Sequence, residues 1–254
     1  MKVTLIGNGI MAQSLARGLV KKYEIEVIGR DEKKLSIMQK NIPEITTKLI
    51  SDNEDITDKI IIFCVKPYAL QSVSVRLQGK ASVLLSILAG TKLETLRKQI
   101  NADQYIRIMP NIAASVQKST TTITGDKEAK SIATEIFNEL GKTIWVNTEN
   151  QLDIATAIAG SGPAYLALVA ESLADGGVKA GLERNHCVAL VQGLFSGVAE
   201  LLEKTHPAII KDSVMSPGGT TAAGYAKLEE AGVRAAMIKA VEASYEKAIE
   251  LGKK

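Results

Sequence analysis

The stretch that most constrains this chain is its first, KVTLIGNGIMAQSLARGL, from Lys2 to Leu19. A short apolar run ends at Gly7, and a helical pattern follows with Met11, Leu15 and Leu19 along one face. A strand that passes through glycine directly into a helix predicts a βαβ unit, because the helix must return over the sheet for the next strand to pair in parallel. The alternation continues. EIEVIG (Glu24 to Gly29) reads as a second strand, and Asp31 stands in the N-cap position ahead of Leu35 and Met38. DKIIIFCV (Asp58 to Val65) reads as a buried strand, and Pro67 suits the first turn of the next helix. ASVLLSIL (Ala81 to Leu88) is another strand, followed by Gly90 and the helical TKLETLRKQI. QYIRIMP and KSTTTITG read as strands, Lys127 to Leu140 as a helix, and KTIWV (Lys142 to Val146) as the closing strand. Such a series predicts a mainly parallel sheet between layers of helix.

After Asn150 the pattern changes. Leu152 to Ala159, Ala164 to Lys179, His186 to Thr205, Thr220 to Glu230 and Gly232 to Leu251 all carry helical spacing, joined by short glycine-rich segments. The expected organisation is therefore α/β: a Rossmann-type dinucleotide-binding domain over residues 1–149 and an all-α domain over 150–254. A length of 254 residues accords with two domains of ~150 residues each.

Composition removes several function classes. Hydrophobic residues make up 46% and charged residues 23%, enough apolar side chain for a core and too little charge for disorder. The net charge of +3 comes from scattered lysines and arginines, with no basic run interleaved with aromatics, so no nucleic-acid partner is expected. Cys64 and Cys187 stand far apart in apolar surroundings and offer neither a disulfide framework nor a metal spacing. No signal peptide is visible at the N-terminus, and no apolar run is expected to approach the ~20 residues that span a bilayer. The expectation is a cytoplasmic protein with no membrane partner.

GNGIMA sets Gly7, Gly9 and Ala12 in the G-x-G-x-x-A spacing. The first glycine permits a tight turn out of the strand, the second lets a pyrophosphate approach the backbone, and the alanine keeps helix and sheet close. The free N–H groups at the helix start favour an anion. At the end of the second strand, IGRD offers Gly29, which leaves space, and Arg30, a cation that favours the 2′-phosphate of NADP. Asp31 carries the competing reading, a ribose acid rather than a helix cap. CVKP (Cys64 to Pro67) and SILAG (Ser86 to Gly90) lie at the carboxyl ends of later strands, the ligand edge of an open α/β sheet. In the second half, AGSGPAY (Ala159 to Tyr165) reads as a helix junction that Ser161 can cap, and ADGGV (Ala174 to Val178) as a helix break or a close crossing. His186 and His206 sit near helix starts and read as structural.

These segments, in this order, resemble the pyrroline-5-carboxylate reductases over nearly the whole length. The resemblance is carried by GNGIMA, VKP, RIMPN, GSGPAY, DGGVKAGLER, HPAIIKDSVMSPGGTTAAGYAKLEE and GVRAAMIKAVEAS, of which SPGGTT is the most distinctive. It implies reduction of a cyclic imine, Δ1-pyrroline-5-carboxylate, to L-proline with a hydride from NADPH, NADH being the weaker alternative. It also implies a homodimer through the C-terminal helices, assembled in some members into larger rings, with the site at the dimer interface. By motif match, Gly7, Asn8, Gly9, Ile10, Met11, Arg30, Val65, Lys66, Pro67, Ser86, Ala89 and Gly90 would lie along the cofactor. Ser216, Gly218, Gly219, Thr220 and Thr221 would hold the substrate carboxylate, with Thr221 also hydrogen-bonding the ring nitrogen as the catalytic residue; no metal is implied. The chain departs from the family pattern at Pro110–Ala113, at Gly193 and at Met215. Two rivals remain open. A hydroxy-acid dehydrogenase would share GNGIMA but carry a lysine early in its second domain, where this chain reads GSGPAYLALVAES; a non-catalytic NADP-binding protein would leave SPGGTT without a purpose.

Overall fold

The computed structural model describes residues Met1 to Gly252. Among these, the chain runs β1 (Lys2–Ile6), α1 (Ile10–Leu19), β2 (Glu24–Gly29), α2 (Glu32–Asn41), β3 (Thr46–Leu49), β4 (Glu54–Asp55), β5 (Ile60–Phe63), α3 (Leu70–Ser74), β6 (Leu77–Gln78), β7 (Ala81–Ser86), α4 (Leu93–Gln99), β8 (Ala102–Met109), β9 (Ser119–Gly125), α5 (Lys130–Asn138) and β10 (Gly141–Trp145). The helical remainder is α6 (Glu149–Ala155), a π-helical turn at Thr156–Gly160, α7 (Gly162–Lys179), α8 (Arg184–Leu202), α9 (Pro207–Ser213), α10 (Thr220–Glu230) and α11 (Val233–Leu251). The residues separate into two compact units. One joins Met1–Ser161 with the segment from Ala243 onward, and the other is Gly162–Glu242.

The first unit is built on one sheet in the order β10-β9-β8-β7-β5-β1-β2-β3. All its pairings are parallel except β8 with β9. Side chains alternate between faces as a strand requires. Val3, Leu5, Ile25, Val27, Ile62, Leu85, Ile106 and Ile108 pack with α1, α2 and α5, while Ile61, Phe63, Leu84 and Tyr105 pack with α3 and α4. Each such fully buried aliphatic side chain contributes ~1.5–3 kcal/mol, so a sheet covered on both faces is the stable outcome of these runs. Strand order reverses at β1, because the chain first lays β2 and β3 on one side and then crosses to place β5 on the other. That switch leaves a crevice beyond the carboxyl ends of β1, β2 and β5.

The second unit is entirely helical. ADGGV does not break α7. Instead Gly177 admits Cys187 of α8, whose Sγ lies 2.7 Å from where a Cβ would stand, so the glycine is there for a close helix crossing. The GSGPAY junction is likewise continuous helix. One extra residue is absorbed in the π turn, and Ser161 closes that turn, its N–H donating to the Thr156 carbonyl, rather than capping α7. The resulting helical stretch Glu149–Lys179 is long and apolar enough, by length and composition, to cross a membrane. This corrects the expectation of no such run. Counting uninterrupted apolar residues misses it, because Thr156, Gly160, Ser161 and Gly162 interrupt the run without adding charge. Leu166 and Leu168 of α7, and Leu190 and Leu194 of α8, are exposed in the single chain.

Candidate active site

The crevice at the switch point is a cavity of about 260 Å³ whose lining includes Gly7, Asn8, Gly9, Gly29, Arg30, Lys34, Val65, Lys66 and Tyr68. Its geometry follows from three glycines with three different duties. Gly7 has φ +126°, and a Cβ there would stand 2.7 Å from the Cys64 carbonyl oxygen, so β1 can turn beside β5 only without a side chain. The Gly7 N–H donates to the Ile28 carbonyl at 2.7 Å, tying the turn to β2. A Cβ added at Gly9 would meet nothing within 4 Å, which is the open approach a bulky anion needs. Gly29, by contrast, is not open space. Asn8 fills it, with its Nδ2 2.7 Å from where a Cβ would sit, and that amide donates to the Asp31 carbonyl at 2.9 Å. The sequence expectation that Gly29 leaves room for a ligand is corrected: it leaves room for Asn8, which braces the loop.

Helix α1 begins at Ile10 with Gly9 as N-cap, no side-chain cap and no acid in its first turn. Its first intrahelical bond is from Gln13 N–H to the Gly9 carbonyl, so the N–H groups of Ile10, Met11 and Ala12 point outward with no intrahelical acceptor. Ile10 itself is exposed, Met11 is half-buried against the core, and Ala12 is fully buried. At the next helix the arrangement differs. The Asp31 carboxylate accepts from Lys34 N–H at 3.1 Å and lies 3.7 Å from Lys34 Nζ. Asp31 is thus engaged as a cap, and the cavity receives two cations, Arg30 and Lys34. The motif alone does not single out Lys34; its position in the first turn of α2, three residues after the cap, is the signal that could have found it.

The remaining cofactor candidates fall into two groups. Val65 and Lys66 line the cavity, and Pro67 follows them at the start of the short helical turn that carries Tyr68. Ser86, Ala89 and Gly90 do not line it. Ser86 is buried, and its Oγ accepts from the Leu88 N–H at 3.4 Å. Gly90, at φ +72°, borders a second cavity with Lys92, Glu149, Asp153 and Gly252, and packs against the backbone of Leu251 and Gly252. Burial pushes the thiol pKa of Cys64, beside the crevice, well above the ordinary value.

In the helical unit, Ser216–Gly219 is a turn closed by a bond from Gly219 N–H to the Ser216 carbonyl at 3.0 Å. Pro217 holds the second position and Gly218, at φ +69°, the third, the pattern of a type II turn. The Gly219 N–H is consumed in that turn and is not free for a ligand. What faces outward is the first turn of α10. Gly219 is its N-cap without any side-chain cap, and Ala223 N–H makes the first intrahelical bond, so the N–H groups of Thr220, Thr221 and Ala222 lack intrahelical acceptors. Ser216, Thr220 and Thr221 flank these donors, and all three are exposed. Helices α1 and α10 therefore share one device, a glycine N-cap that leaves the helix start open, whereas Asp31, Thr148 and His206 cap α2, α6 and α9 with side chains. His206 is spent in that role: its Nδ1 accepts from the Ala208 N–H.

A doubly wound parallel-dominated sheet with a glycine turn and an uncapped helix start at its switch point has the form of a dinucleotide-binding domain. Residues 149–251 match the family described as pyrroline-5-carboxylate reductase dimerisation, and residues 2–90 match NADP oxidoreductase coenzyme F420-dependent. The chain is 39% identical to a pyrroline-5-carboxylate reductase of Synechocystis sp., covering 100% of this chain and 99% of that one. It is 38% identical to that of Helicobacter pylori, covering 95% and 96%. Among solved structures it resembles the enzyme of Streptococcus pyogenes, with a TM-score of 0.87, 30% identity and 98% of each chain covered. It also resembles the NADP-bound enzyme of Plasmodium falciparum, with a TM-score of 0.83, 28% identity and coverage of 99% and 98%. The chain belongs to the pyrroline-5-carboxylate reductase family.

Proposed function

We propose that this chain reduces Δ1-pyrroline-5-carboxylate to L-proline with NADPH, as a homodimer in the cytoplasm. The observation that carries the reading is the pair of open helix starts. One opens α1 behind GNG and the other opens α10 behind SPGG, in a chain whose full length matches this family. NADPH supplies the hydride that the imine carbon accepts. The proposed division of labour is nucleotide binding by residues 1–149 and substrate binding with dimerisation by 150–254.

In this reading the N–H groups from Gly9 to Met11 take the pyrophosphate, which is where free donors and the helix dipole favour it. Arg30 and Lys34 take the 2′-phosphate; Val65, Lys66 and Pro67 border the cofactor at the end of β5, and Ser86, Ala89 and Gly90 at the end of β7. Ser216, Gly218 and the N–H groups at the start of α10 hold the substrate carboxylate, with Gly219 shaping the turn. Thr221 donates to the ring nitrogen as charge accumulates there, so a neutral hydroxyl serves where a fixed donor is worth most. The exposed leucines of α7 and α8 are covered by a second copy, since apolar patches of that kind mark an association surface.

The test is the oxidation of NADPH and of NADH measured side by side, each dependent on added pyrroline-5-carboxylate, with the mass of the particle from sedimentation. Turnover that needs the imine and prefers NADPH, from a particle of at least two chains, is the expected result. Oxidation of hydroxy acids without imine turnover would overturn it.

A further inference from the structure

We propose that Tyr68 is an adenine-stacking platform, the residue by which this chain grips the nucleoside end of its cofactor; this rests on the NADPH reading above and adds a contact that the glycine turn and the two cations do not supply. Six tyrosines occur in the chain, and five have evident structural work. Tyr23 and Tyr105 are buried in the core. The hydroxyls of Tyr165, Tyr225 and Tyr245 bond to the Ala240 carbonyl, Glu229 and Asn150. Tyr68 differs. It is 85% exposed and lines the switch-point crevice.

The location specifies what the ring faces. Tyr68 follows β5 and Arg30 follows β2, and these strands flank β1 on opposite sides, so the two residues rise on either side of the Gly7–Gly9 turn. They share the cavity with Ile50, Ala69 and Val73, an apolar patch beside the cations Arg30 and Lys34. A ligand that places phosphate at the cations and a flat apolar face at the patch is a nucleotide with a 2′-phosphate. An aromatic ring held at that rim by a proline-initiated turn loses little conformational entropy on stacking. Base–aromatic stacking also tolerates a change of hydroxyl, so the ring and not its Oη carries the contact.

The experiment uses the full-length protein and three variants, Tyr68→Ala, Tyr68→Phe and Arg30→Ala, with NADPH, NADH and reduced nicotinamide mononucleotide, which has no adenine. Tyr68→Ala is expected to weaken NADPH and NADH alike, about 5- to 150-fold, and to leave kcat/KM with the mononucleotide unchanged. Tyr68→Phe is expected to bind as the parent does. Arg30→Ala is expected to weaken NADPH selectively, which separates the phosphate contact from the stacking contact. Because the side chain is so exposed, the melting temperature should not move. Tyr68→Ala that binds NADPH within twofold of the parent, or that loses the mononucleotide reaction to the same degree, overturns the assignment. A parent protein that binds no NADPH at all would instead fail the functional reading on which it stands.

Discussion

The Arg107 guanidinium is 1% exposed on β8 and donates through Nη2 to Asp153 Oδ1 at 2.8 Å. Its Nη1 donates to Glu149 Oε1 at 3.0 Å, and the same carboxylate oxygen accepts from Leu93 N–H at 2.8 Å. One buried cation thus joins β8, the first turn of α6 and the start of α4. Four residues further along, Asn111 Nδ2 donates to the Ala159 carbonyl at 3.0 Å, holding the π turn to the end of the same strand. Removing the cation alone strands two carboxylates. Arg107→Ala should cost about 3–5 kcal/mol, read as a fall in the urea midpoint. Arg107→Lys should recover only part, since an ammonium cannot fork to both acids.

Gly7 and Gly9 lie two residues apart in the same motif but should fail differently. Gly7→Ala drives a methyl into the Cys64 carbonyl at a positive φ and should lower the melting temperature sharply. Gly9→Ala meets nothing in the protein. It should fold with an unchanged melting temperature and lose NADPH binding by at least ~10-fold, because the added methyl occupies the approach of the pyrophosphate. Calorimetric titration of both variants checks the contrast.

Arg30 and Lys34 share the cavity while Asp31 is held as a cap. Arg30→Ala and Lys34→Ala should each raise KM for NADPH about 10-fold, the worth of one charge-assisted contact, with less than twofold effect on NADH. Equal effects on both cofactors would remove the 2′-phosphate assignment.

Thr221 is exposed at the open start of α10. Thr221→Ala should lower kcat by ~10²-fold, as loss of one oriented donor does, with KM for NADPH little changed. Thr221→Ser should keep most of the rate. Steady-state kinetics with the imine varied would show whether the hydroxyl belongs to the chemical step.

Acid should draw on the stability held at Glu54, whose side chain is 1% exposed and lies 2.7 Å from Lys48 Nζ and 2.9 Å from Ser51 Oγ. Burial pushes this carboxyl up, but the hydrogen bonds from Lys48 and Ser51 outweigh it and hold it below its ordinary value. A depressed folded pKa contributes stability that is complete above the unfolded value of about 4.3 and is lost as pH falls through the folded value. Glu54→Gln should therefore lower stability at neutral pH and flatten its decline in acid, measured as melting temperature against pH.

Much of this was legible in one dimension. The β1 turn, the Asp31 cap, the Pro67 turn and the start of α10 at Thr220 are local events, set by residues within one helical turn of one another. The family resemblance rests on the same short segments. What the sequence could not decide is which distant groups meet. Asn8 fills the gap at Gly29, Cys187 enters at Gly177, and Gly90 packs on Gly252. Each depends on strand order or helix crossing, which long-range packing selects from many local equivalents. The same reason explains Arg107. In the sequence it is one charge inside RIMPN, and only the fold, by burying it between Glu149 and Asp153, makes it a tie rather than a defect.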